Sequence, residues 1–287
     1  MKRHDAKRIG SGLLAHVQPV FLLPAGAIAV FGAVLADYVS VGTAIAHCFA
    51  VCLAVYVAHL RDGYVDYYVR NEDDQNRLTP TEIHVAIVLS TAAFGGCLAY
   101  LWLVSGTLSV VLSTPILALG LLHAPYLDTN PVTTTVSYPL GIALAMAGGY
   151  ATQTGTLTTV VIVLAGVFFV HLAGIGILLD RLDYHDDRRR GKRTVPVVVG
   201  DERAEVAAWM FVLAGSGLLL LSSVVEIVPQ SSQYAALIPI SAVAIRASRR
   251  IDRTHAVVLS IGTMYLFAAV LFFLVRPSEA PTVIVFQ

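Results

Sequence analysis

The chain has 287 residues, of which 56% are hydrophobic and only 13% are charged, and its mean hydropathy is +0.74. Because a soluble domain carries about 25% charged residues, this composition excludes a water-soluble globular protein and predicts an all-α integral membrane protein. The 19 Lys and Arg balance the 19 Asp and Glu, so the net charge gives no reason to expect a nucleic-acid partner.

Apolar runs long enough to cross a bilayer, about 20 residues each, follow one another along the chain. We therefore predict a single integral membrane domain over residues 1–287 with about nine transmembrane helices. These helices are expected near 12–36, 41–60, 83–104, 107–124, 133–152, 157–179, 204–225, 233–247 and 256–275. The eighth is short and contains Pro239, so a re-entrant segment is the alternative there. Prolines inside the other predicted helices, Pro19 among them, predict kinks.

The positions of the basic residues predict how the chain is oriented. If the N-terminus is cytoplasmic, 18 of the 19 Lys and Arg fall on the cytoplasmic side, and Arg276 alone falls on the other. This asymmetry is what the positive-inside rule predicts. We therefore expect a multi-pass protein of the cell membrane whose N-terminus and two long polar segments, 61–82 and 180–203, face the cytoplasm.

Spaced aspartates occur in both polar segments. Asp62 and Asp66 are four residues apart, and Asp180, Asp183 and Asp187 are three and four apart. Such spacings place carboxylates on one face of a helix, about 5–6 Å apart between Cβ atoms. Like charges so placed are tolerated in water, beside arginine, or around a divalent cation, and Mg²⁺ is typically held by one or two carboxylates plus substrate phosphates. Two such carboxylate pairs facing each other would suit Mg²⁺ ions that hold a diphosphate.

The pattern Asp62/Asp66 recurs as Asp183/Asp187 at an offset of 121 residues, which suggests two halves of similar construction. Basic residues flank both acidic clusters, and arginine forks match phosphate oxygens. They are Arg61, Arg70 and Arg77 in the first segment and Arg181, Arg188, Arg189, Arg190, Lys192 and Arg193 in the second. The alternative is that they are topology signals and solvated charges, which is the interpretation we prefer for the run 188–190.

The second segment carries a longer pattern: Asp180-x-x-Asp183-x-x-x-Asp187, then Gly191-Lys192-x-Thr194-x-Pro196-Val197 and Gly200. This pattern resembles the second motif of the UbiA superfamily of intramembrane prenyltransferases. The first segment is similar to the first motif of that family, and it reads Asp62-Gly63-Tyr64-Val65-Asp66-Tyr67-Tyr68-Val69-Arg70, with Arg77 beyond it. Nine helices with acidic motifs after the second and sixth are also the architecture of that family.

The first motif departs from the family pattern at two positions. Asp62 stands where the family usually has Asn, which keeps an oxygen ligand and adds charge. Arg70 replaces the last acid of the motif, although Glu72, Asp73 and Asp74 lie just beyond and could substitute for it.

The loop between the fourth and fifth predicted helices also departs from the family, which usually shows a Tyr and a Lys there that reach the diphosphate. This chain retains Tyr126 but has no Lys or Arg from 105 to 180. A rearranged diphosphate site and a non-catalytic family member are both open, and we expect Arg70 to supply the missing positive charge.

The resemblance implies Mg²⁺-assisted ionisation of an allylic prenyl diphosphate, followed by attack of a lipophilic acceptor on the allylic cation. The acceptor would be a quinone precursor, a lipid or a carotenoid, and no obligate protein partner is evident. The implied Mg²⁺ ligands are Asp62, Asp66, Asp183 and Asp187, with Asp180 completing the second site or orienting a base. The implied diphosphate-binding residues are Arg70, Arg77, Lys192 and Arg193. The rings of Tyr126 and of Tyr64, Tyr67 and Tyr68 are candidates to shield the cation.

Two alternatives concern the acids and the histidines. A cation-coupled transporter would also carry acidic residues, but transporter carboxylates lie near the bilayer midplane, whereas the clustered acids here lie at predicted helix ends. His47, His123 and His171 lie within predicted spans and are candidate bases for the acceptor. Histidines that pack between helices are the interpretation we prefer.

Overall fold

A computed structural model describes residues 3–71, 76–248, 251–275 and 283–285, with side chains described from residue 6 to residue 275 of these ranges. This part of the chain is almost entirely helical, as predicted. Its α-helices are α1 (Arg3–Ala15), α2 (Pro19–Val34), α3 (Val41–Tyr64), α4 (Pro80–Ser105), α5 (Thr107–Leu122), α6 (Pro131–Thr154), α7 (Thr159–Asp180), α8 (Tyr184–Arg190), α9 (Val195–Val199), α10 (Asp201–Val224), α11 (Gln233–Ser248) and α12 (Arg253–Val275). The short elements are strands β1 (Tyr38–Ser40) and β2 (Val283–Val285), π-helical turns Val65–Val69 and His123–Leu127, and a 3₁₀ turn, Gln230–Ser232.

Each of the nine predicted transmembrane segments contains a helix. Among the described residues, six helical stretches are long and apolar enough to cross a membrane: Val41–Val69, Pro80–Ser105, Thr107–Leu127, Thr159–Asp180, Asp201–Val224 and Arg253–Val275. A seventh is added if α1 and α2 count as one broken span. The chain is therefore a multi-pass membrane protein, and the total of nine spans stays a prediction.

The prediction of one helix near 12–36 is wrong, because α1 and α2 are separate and bent by 66° relative to each other. Gln18 has an extended backbone, with φ −102° and ψ 95°, as expected for a residue that the following proline ring crowds. Pro19 then opens α2, where a missing N–H costs nothing and the fixed φ already suits a helix. The proline therefore starts a new helix instead of kinking a continuous one.

The chain divides into two compact units. The first comprises Met1–Leu127, Leu144–Thr156 and Thr282–Gln287, and the second comprises Asp128–Ala143 and Leu157–Pro281. Helix α6 thus contributes its first part to the second unit and its remainder to the first.

Close helix approach holds the first unit together. In it, α3 packs against α2, α4 and α5, and β1 pairs in parallel with β2. A Cβ on Gly32 of α2 would lie 2.0 Å from the carbonyl oxygen of Met146 in α6, and a Cβ on Gly149 would lie 2.1 Å from that of Ala29. Helices in lipid associate largely through such close contacts of small residues. These two glycines therefore allow α2 to lie against the later part of α6.

In the second unit, α7 packs against α10 and α12, and α11 also packs against both. The rings of Phe168 in α7 and Phe267 in α12 meet edge to face, with centroids 5.6 Å apart. A Cβ on Gly174 of α7 would lie 2.6 Å from the carbonyl oxygen of Ala208 in α10. Each unit thus pairs a motif-bearing helix with a long neighbour, α3 with α4 and α7 with α10. That two halves share a construction stays a prediction.

Candidate active site

The first acidic segment lies where α3 passes into a π-helical turn. Asp62 is in the last turn of α3, and Asp66 lies in the turn Val65–Val69, which closes as the Arg70 N–H donates to the Val65 carbonyl at 2.9 Å. Such turns occur frequently at functional sites. One carboxylate oxygen of Asp62 lies within 4.8 Å of one of Asp66. The predicted proximity of these two acids is therefore confirmed, and their role in metal binding stays a prediction.

Two basic groups face these carboxylates. Arg70 Nη1 lies 3.3 Å from Asp66 Oδ1, and His123 Nε2 lies 4.0 Å from Asp62 Oδ1. The side chains of Arg70 and Asp66 are only 15% and 19% exposed, so water screens this pair less than a surface pair. Arg70 therefore balances part of the negative charge of the acidic pair, and its contact with a diphosphate stays a prediction.

The loop that follows α5 lies beside the first acidic segment. Arg61 Nε donates to the carbonyl oxygen of Ala124 at 3.2 Å, and Ala124 has an extended backbone inside the turn His123–Leu127. Tyr126 belongs to the same turn, and its side chain is exposed. Arg61 thus anchors the turn that carries Tyr126 to the end of α3, while the catalytic role of Tyr126 stays a prediction.

The chain beyond Arg70 folds back onto the first motif. The hydroxyl of Tyr68 donates to the carbonyl of Leu78 at 2.6 Å, and the amide of Asn76 donates to the carbonyl of Gly63 at 3.2 Å. Arg77 lies exposed between these two anchors, and its predicted phosphate contact is untested. The other acids considered as substitutes, Glu72, Asp73 and Asp74, lie outside the described residues.

The second acidic segment does not form one continuous helix. Helix α7 ends at Asp180, the chain turns at Arg181, and α8 begins at Tyr184 with Asp183 as its N-cap residue. The expectation that Asp180, Asp183 and Asp187 share a face of one helix is wrong in this respect. At this turn the side chain of Arg181 pairs with Asp201 and Glu205 of α10, contacts that spacing within the segment does not specify. Asp183 is exposed, whereas Asp187 is buried.

Gly191 ends α8 and turns the chain back toward Asp187. Its φ of +74° lies in the left-handed region, which a residue without Cβ adopts at little cost. The turn lets the Lys192 N–H donate to the backbone carbonyl of Asp187 at 2.9 Å. It also brings the hydroxyl of Thr194 to Asp187 Oδ2, to which it donates at 3.1 Å. The glycine and threonine of the sequence motif therefore arrange the surroundings of Asp187.

The electrostatic environment of Asp187 combines opposing effects. Burial raises the pKa of this carboxyl, and the nearby negative charge of Asp183 raises it further. The positive charge of Lys192 and the Thr194 hydrogen bond act in the opposite direction but do not cancel the effect of burial. Asp187 is thus a buried acid with a hydroxyl donor and two nearby cations, Lys192 and Arg190, whose pKa is nevertheless raised, and added positive charge would stabilise its ionised form.

Asp180 shows that the second segment suits a cation. Its Oδ2 atom is buried and has no hydrogen-bond partner among the described residues. A buried carboxylate oxygen without a donor is costly, and a bound cation would satisfy it. Carboxylate oxygens are also the ligands that Mg²⁺ prefers. Each acidic segment thus offers carboxylate oxygens to a divalent cation: those of Asp62 and Asp66 lie within 4.8 Å of each other in the first, and that of Asp180 is unpartnered in the second.

Arg181 does not behave as a phosphate-binding residue. Its side chain is 5% exposed, and its guanidinium lies 2.9 Å from Asp201 and 2.8 Å from Glu205. The hypothesis that it flanks the acids to bind phosphate is therefore wrong. The three arginines of the run 188–190 are exposed, as expected for solvated charges. Arg193 is exposed as well, and its contact with a diphosphate stays a prediction. Sequence reasoning missed the partners of Arg181, although acids open the helix that follows the motif.

His47 and His171 are buried packing residues. Each ring places its two nitrogens within hydrogen-bond distance of one backbone carbonyl and one serine hydroxyl. The distances are 2.9 Å to Ala145 O and 3.2 Å to Ser113 Oγ for His47, and 2.9 Å to Val167 O and 3.2 Å to Ser216 Oγ for His171. The packing interpretation is therefore confirmed for these two, whereas His123 faces Asp62.

Solved structures share this fold. One, reported for digeranylgeranylglyceryl phosphate synthase in membranes, has a TM-score of 0.71 and 13% identity, covering 95% of this chain and 99% of that one. A UbiA homologue from Archaeoglobus fulgidus bound to GPP and Mg²⁺ has a TM-score of 0.69 and 17% identity, covering 93% and 99%. An apo UbiA homologue from Aeropyrum pernix K1 has a TM-score of 0.68 and 18% identity, covering 88% and 96%.

Sequence comparison identifies the family more directly. No curated protein matches the chain at a significant level of similarity. The model of the UbiA prenyltransferase family matches residues 27–256, a stretch that includes both acidic segments. Because this match covers most of its length, the chain belongs to the UbiA prenyltransferase family and is a membrane prenyltransferase.

Proposed function

We propose that the protein transfers a prenyl group from an allylic prenyl diphosphate to a lipophilic acceptor, and that this transfer requires Mg²⁺. The observation that carries the proposal is the presence of two acidic segments in a chain of this family, each of which offers carboxylate oxygens to a cation. A UbiA homologue from Archaeoglobus fulgidus binds GPP and Mg²⁺, which supports a prenyl diphosphate and Mg²⁺ as the molecules that this chain binds. Candidate acceptors are a quinone-precursor ring, a glycerol-phosphate lipid and a carotenoid end group.

The cation ligands come from both segments. Asp62 and Asp66, whose carboxylate oxygens lie within 4.8 Å of each other, would hold Mg²⁺ in the first segment. Asp183 and Asp187 would hold it in the second, where the unpartnered oxygen of Asp180 would complete the set. Bound Mg²⁺ supplies Lewis-acid neutralisation of the charge that develops on a leaving diphosphate.

The remaining contacts bind the diphosphate and protect the allylic cation. Arg70, Arg77, Lys192 and Arg193 contact phosphate oxygens, for which guanidinium and ammonium donors are well suited. The ring of Tyr126 shields the allylic cation with its face. In the reaction the allylic C–O bond breaks and its electron pair leaves with the diphosphate. The acceptor then forms the new bond and releases a proton.

The proposed setting is the cell membrane, crossed by nine helices in two similar halves, with the N-terminus and both acidic segments cytoplasmic. The clustered acids lie at the ends of α3 and α7 and, beyond them, in the π-helical turn and at the start of the short helix α8. Carboxylates of a cation-coupled transporter would lie near the bilayer midplane. The placement of the acids therefore favours the enzyme over the transporter alternative.

The proposal is tested with the purified full-length protein in lipid nanodiscs. The assay measures diphosphate release and prenylated product with prenyl diphosphates of several lengths, Mg²⁺, and one acceptor from each class. We expect the double variant Asp66→Ala/Asp187→Ala, or removal of divalent cations, to abolish both signals. Asp186→Ala is the matched control, because Asp186 is an exposed acid beside Asp187 that pairs with Arg189, and it should retain activity. Release that survives in the double variant would refute the mechanism.

A further inference from the structure

We propose that Arg181 is a positioning residue for the second acidic segment: its ion pairs with α10 hold the turn between Asp180 and Asp183 and keep the arginine charge away from the cation ligands. This role rests on the proposed function, which makes the acids of the second segment cation ligands. The ion pairs of Arg181 take no part in the transfer reaction itself.

The contacts of Arg181 fill its side chain. Its Nε and Nη2 atoms lie 2.9 and 3.2 Å from the two carboxylate oxygens of Asp201, and Nη2 also lies 2.8 Å from Glu205 Oε2. Asp201 and Glu205 are four residues apart in the first turns of α10, so both present oxygens to the same guanidinium. This bidentate fork fixes orientation as well as distance.

The same two acids bind arginines from two further helices. Arg253, the first residue of α12, lies 2.9 Å from Asp201 Oδ2, and Arg246 of α11 contacts Glu205 Oε1. Arg253 also donates to the backbone carbonyl of Arg181 at 3.5 Å. The Arg181 network, which comprises these five charged residues, therefore holds both the side chain and the backbone of Arg181.

Stability alone is a weak explanation for this network. Ion pairs removed from water are often no more stabilising than apolar residues of the same volume. A specific geometry is the better-attested use of buried charge, and Arg181 occupies the position where geometry matters. It lies directly between Asp180, at the last residue of α7, and Asp183, the N-cap residue of α8.

The network also determines which groups can neutralise the acids. Arg181 is the base nearest to Asp180 in sequence, yet its guanidinium is bound to α10 and the Asp180 Oδ2 atom is left buried with no hydrogen-bond partner in the described part of the chain. An arginine released from α10 could pair with Asp180 or Asp183 and compete with a metal ion. Asp201 and Glu205 therefore keep the second segment acidic.

The test measures cation binding directly, with Mn²⁺ as the probe. Electron paramagnetic resonance reports free Mn²⁺ as it is titrated into the full-length protein in nanodiscs, and thermal unfolding is measured on the same samples. We expect Arg181→Met to weaken Mn²⁺ binding by about tenfold or more, the loss that removal of an outer-shell partner typically causes. Asp201→Asn together with Glu205→Gln should weaken it as well, although neither acid belongs to the motif.

Arg246→Met is the matched control. It removes an arginine of the same network, one that reaches Glu205 from α11 and not from the motif turn, so the Mn²⁺ affinity should stay at the wild-type value even if the Tm falls. If Arg181→Met does not fold, Arg181→Gln keeps N–H donors without the charge and serves the same comparison.

The results separate this inference from the proposed function. Unchanged Mn²⁺ affinity in folded Arg181 variants, or an equal loss in Arg246→Met, overturns the positioning role even if the wild type transfers prenyl groups. The opposite outcome is that the wild type binds Mn²⁺ and the Arg181 variants bind it more weakly, but the wild type transfers no prenyl group. That outcome would refute the proposed function and leave the positioning role intact.

Discussion

Removal of the Thr194 hydroxyl should weaken cation binding at the second acidic segment. Thr194 donates to Asp187 Oδ2 at 3.1 Å, and the two residues are only 2% and 7% exposed. A hydrogen bond to a charged group contributes about 1.5–3 kcal/mol. The substitution Thr194→Val keeps the shape of the side chain but removes this donor. Because the bond favours the ionised carboxylate, its loss should raise the pKa of Asp187 beyond the rise that burial already causes.

The sign of the pH dependence follows from that shift. Mg²⁺ needs the ionised carboxylate, so a proton competes with the cation below the pKa of Asp187 and the competition fades as the pH rises through it. In metal-free protein the folded state keeps a proton that the unfolded chain releases. The contribution of Asp187 to stability is therefore present at low pH and is lost as the pH rises toward the folded-state pKa.

The assay is the Mg²⁺ concentration that gives half-maximal diphosphate release, measured from acidic to alkaline pH. A loss of about 1.4 kcal/mol corresponds to a tenfold higher Mg²⁺ requirement. We expect a shift of about this size in Thr194→Val, largest at low pH, and a much smaller one in Thr194→Ser, which retains a hydroxyl. If the Val and Ser variants show the wild-type Mg²⁺ requirement at every pH, the reasoning about Asp187 is refuted.

Two further substitutions test other parts of the structure. Arg70→Asp should raise the KM for the prenyl diphosphate, because it replaces the guanidinium beside Asp66 with a third carboxylate, and tighter binding would instead identify Arg70 as a vestige of lost function. Gly32→Ala should lower the Tm, because the new methyl group would lie 2.0 Å from the Met146 carbonyl oxygen and overpacking costs about 1–3 kcal/mol. Gly95→Ala is its control, with nothing within 4 Å of the added carbon, and an equal fall in Tm there would contradict the packing argument.

The helices were predictable from sequence because lipid imposes one requirement on every span. Backbone groups in a bilayer must be satisfied within the segment, so a long apolar run has to be helical whatever its neighbours are. The same rule does not say where a helix breaks. The break before Pro19 follows from local sterics. The π-helical turn around Asp66, in contrast, has no distinct composition from which its extra residue could be predicted.

The site was predictable only as far as local spacing determines it. Asp62 and Asp66 are neighbours because four residues of helix bring them together. Arg181 lies between Asp180 and Asp183 in the sequence, but its side chain pairs with acids of α10 that begin 20 residues later. Spacing along one segment carries no information about such partners. The burial of Asp187, which governs its protonation, likewise depends on the turn at Gly191 and on packing around it.

The supply of positive charge constrains how this chain would bind a diphosphate. No Lys or Arg occurs from 105 to 180, so the turn that carries Tyr126 supplies no positive charge. Arg181 is held by α10, and Arg61 donates to the backbone of the turn that carries Tyr126. Each of these two arginines, which immediately adjoin the motif acids, is thus committed to structure. The bases proposed for phosphate oxygens are instead Arg70, Arg77, Lys192 and Arg193. Of these, Arg70, already paired with an acid in the first segment, is the one whose position differs most from the family pattern. A diphosphate that shares the guanidinium of Arg70 would leave Asp66 with less positive charge beside it, and a metal ion bound there would restore the balance. Metal and diphosphate should for this reason bind cooperatively.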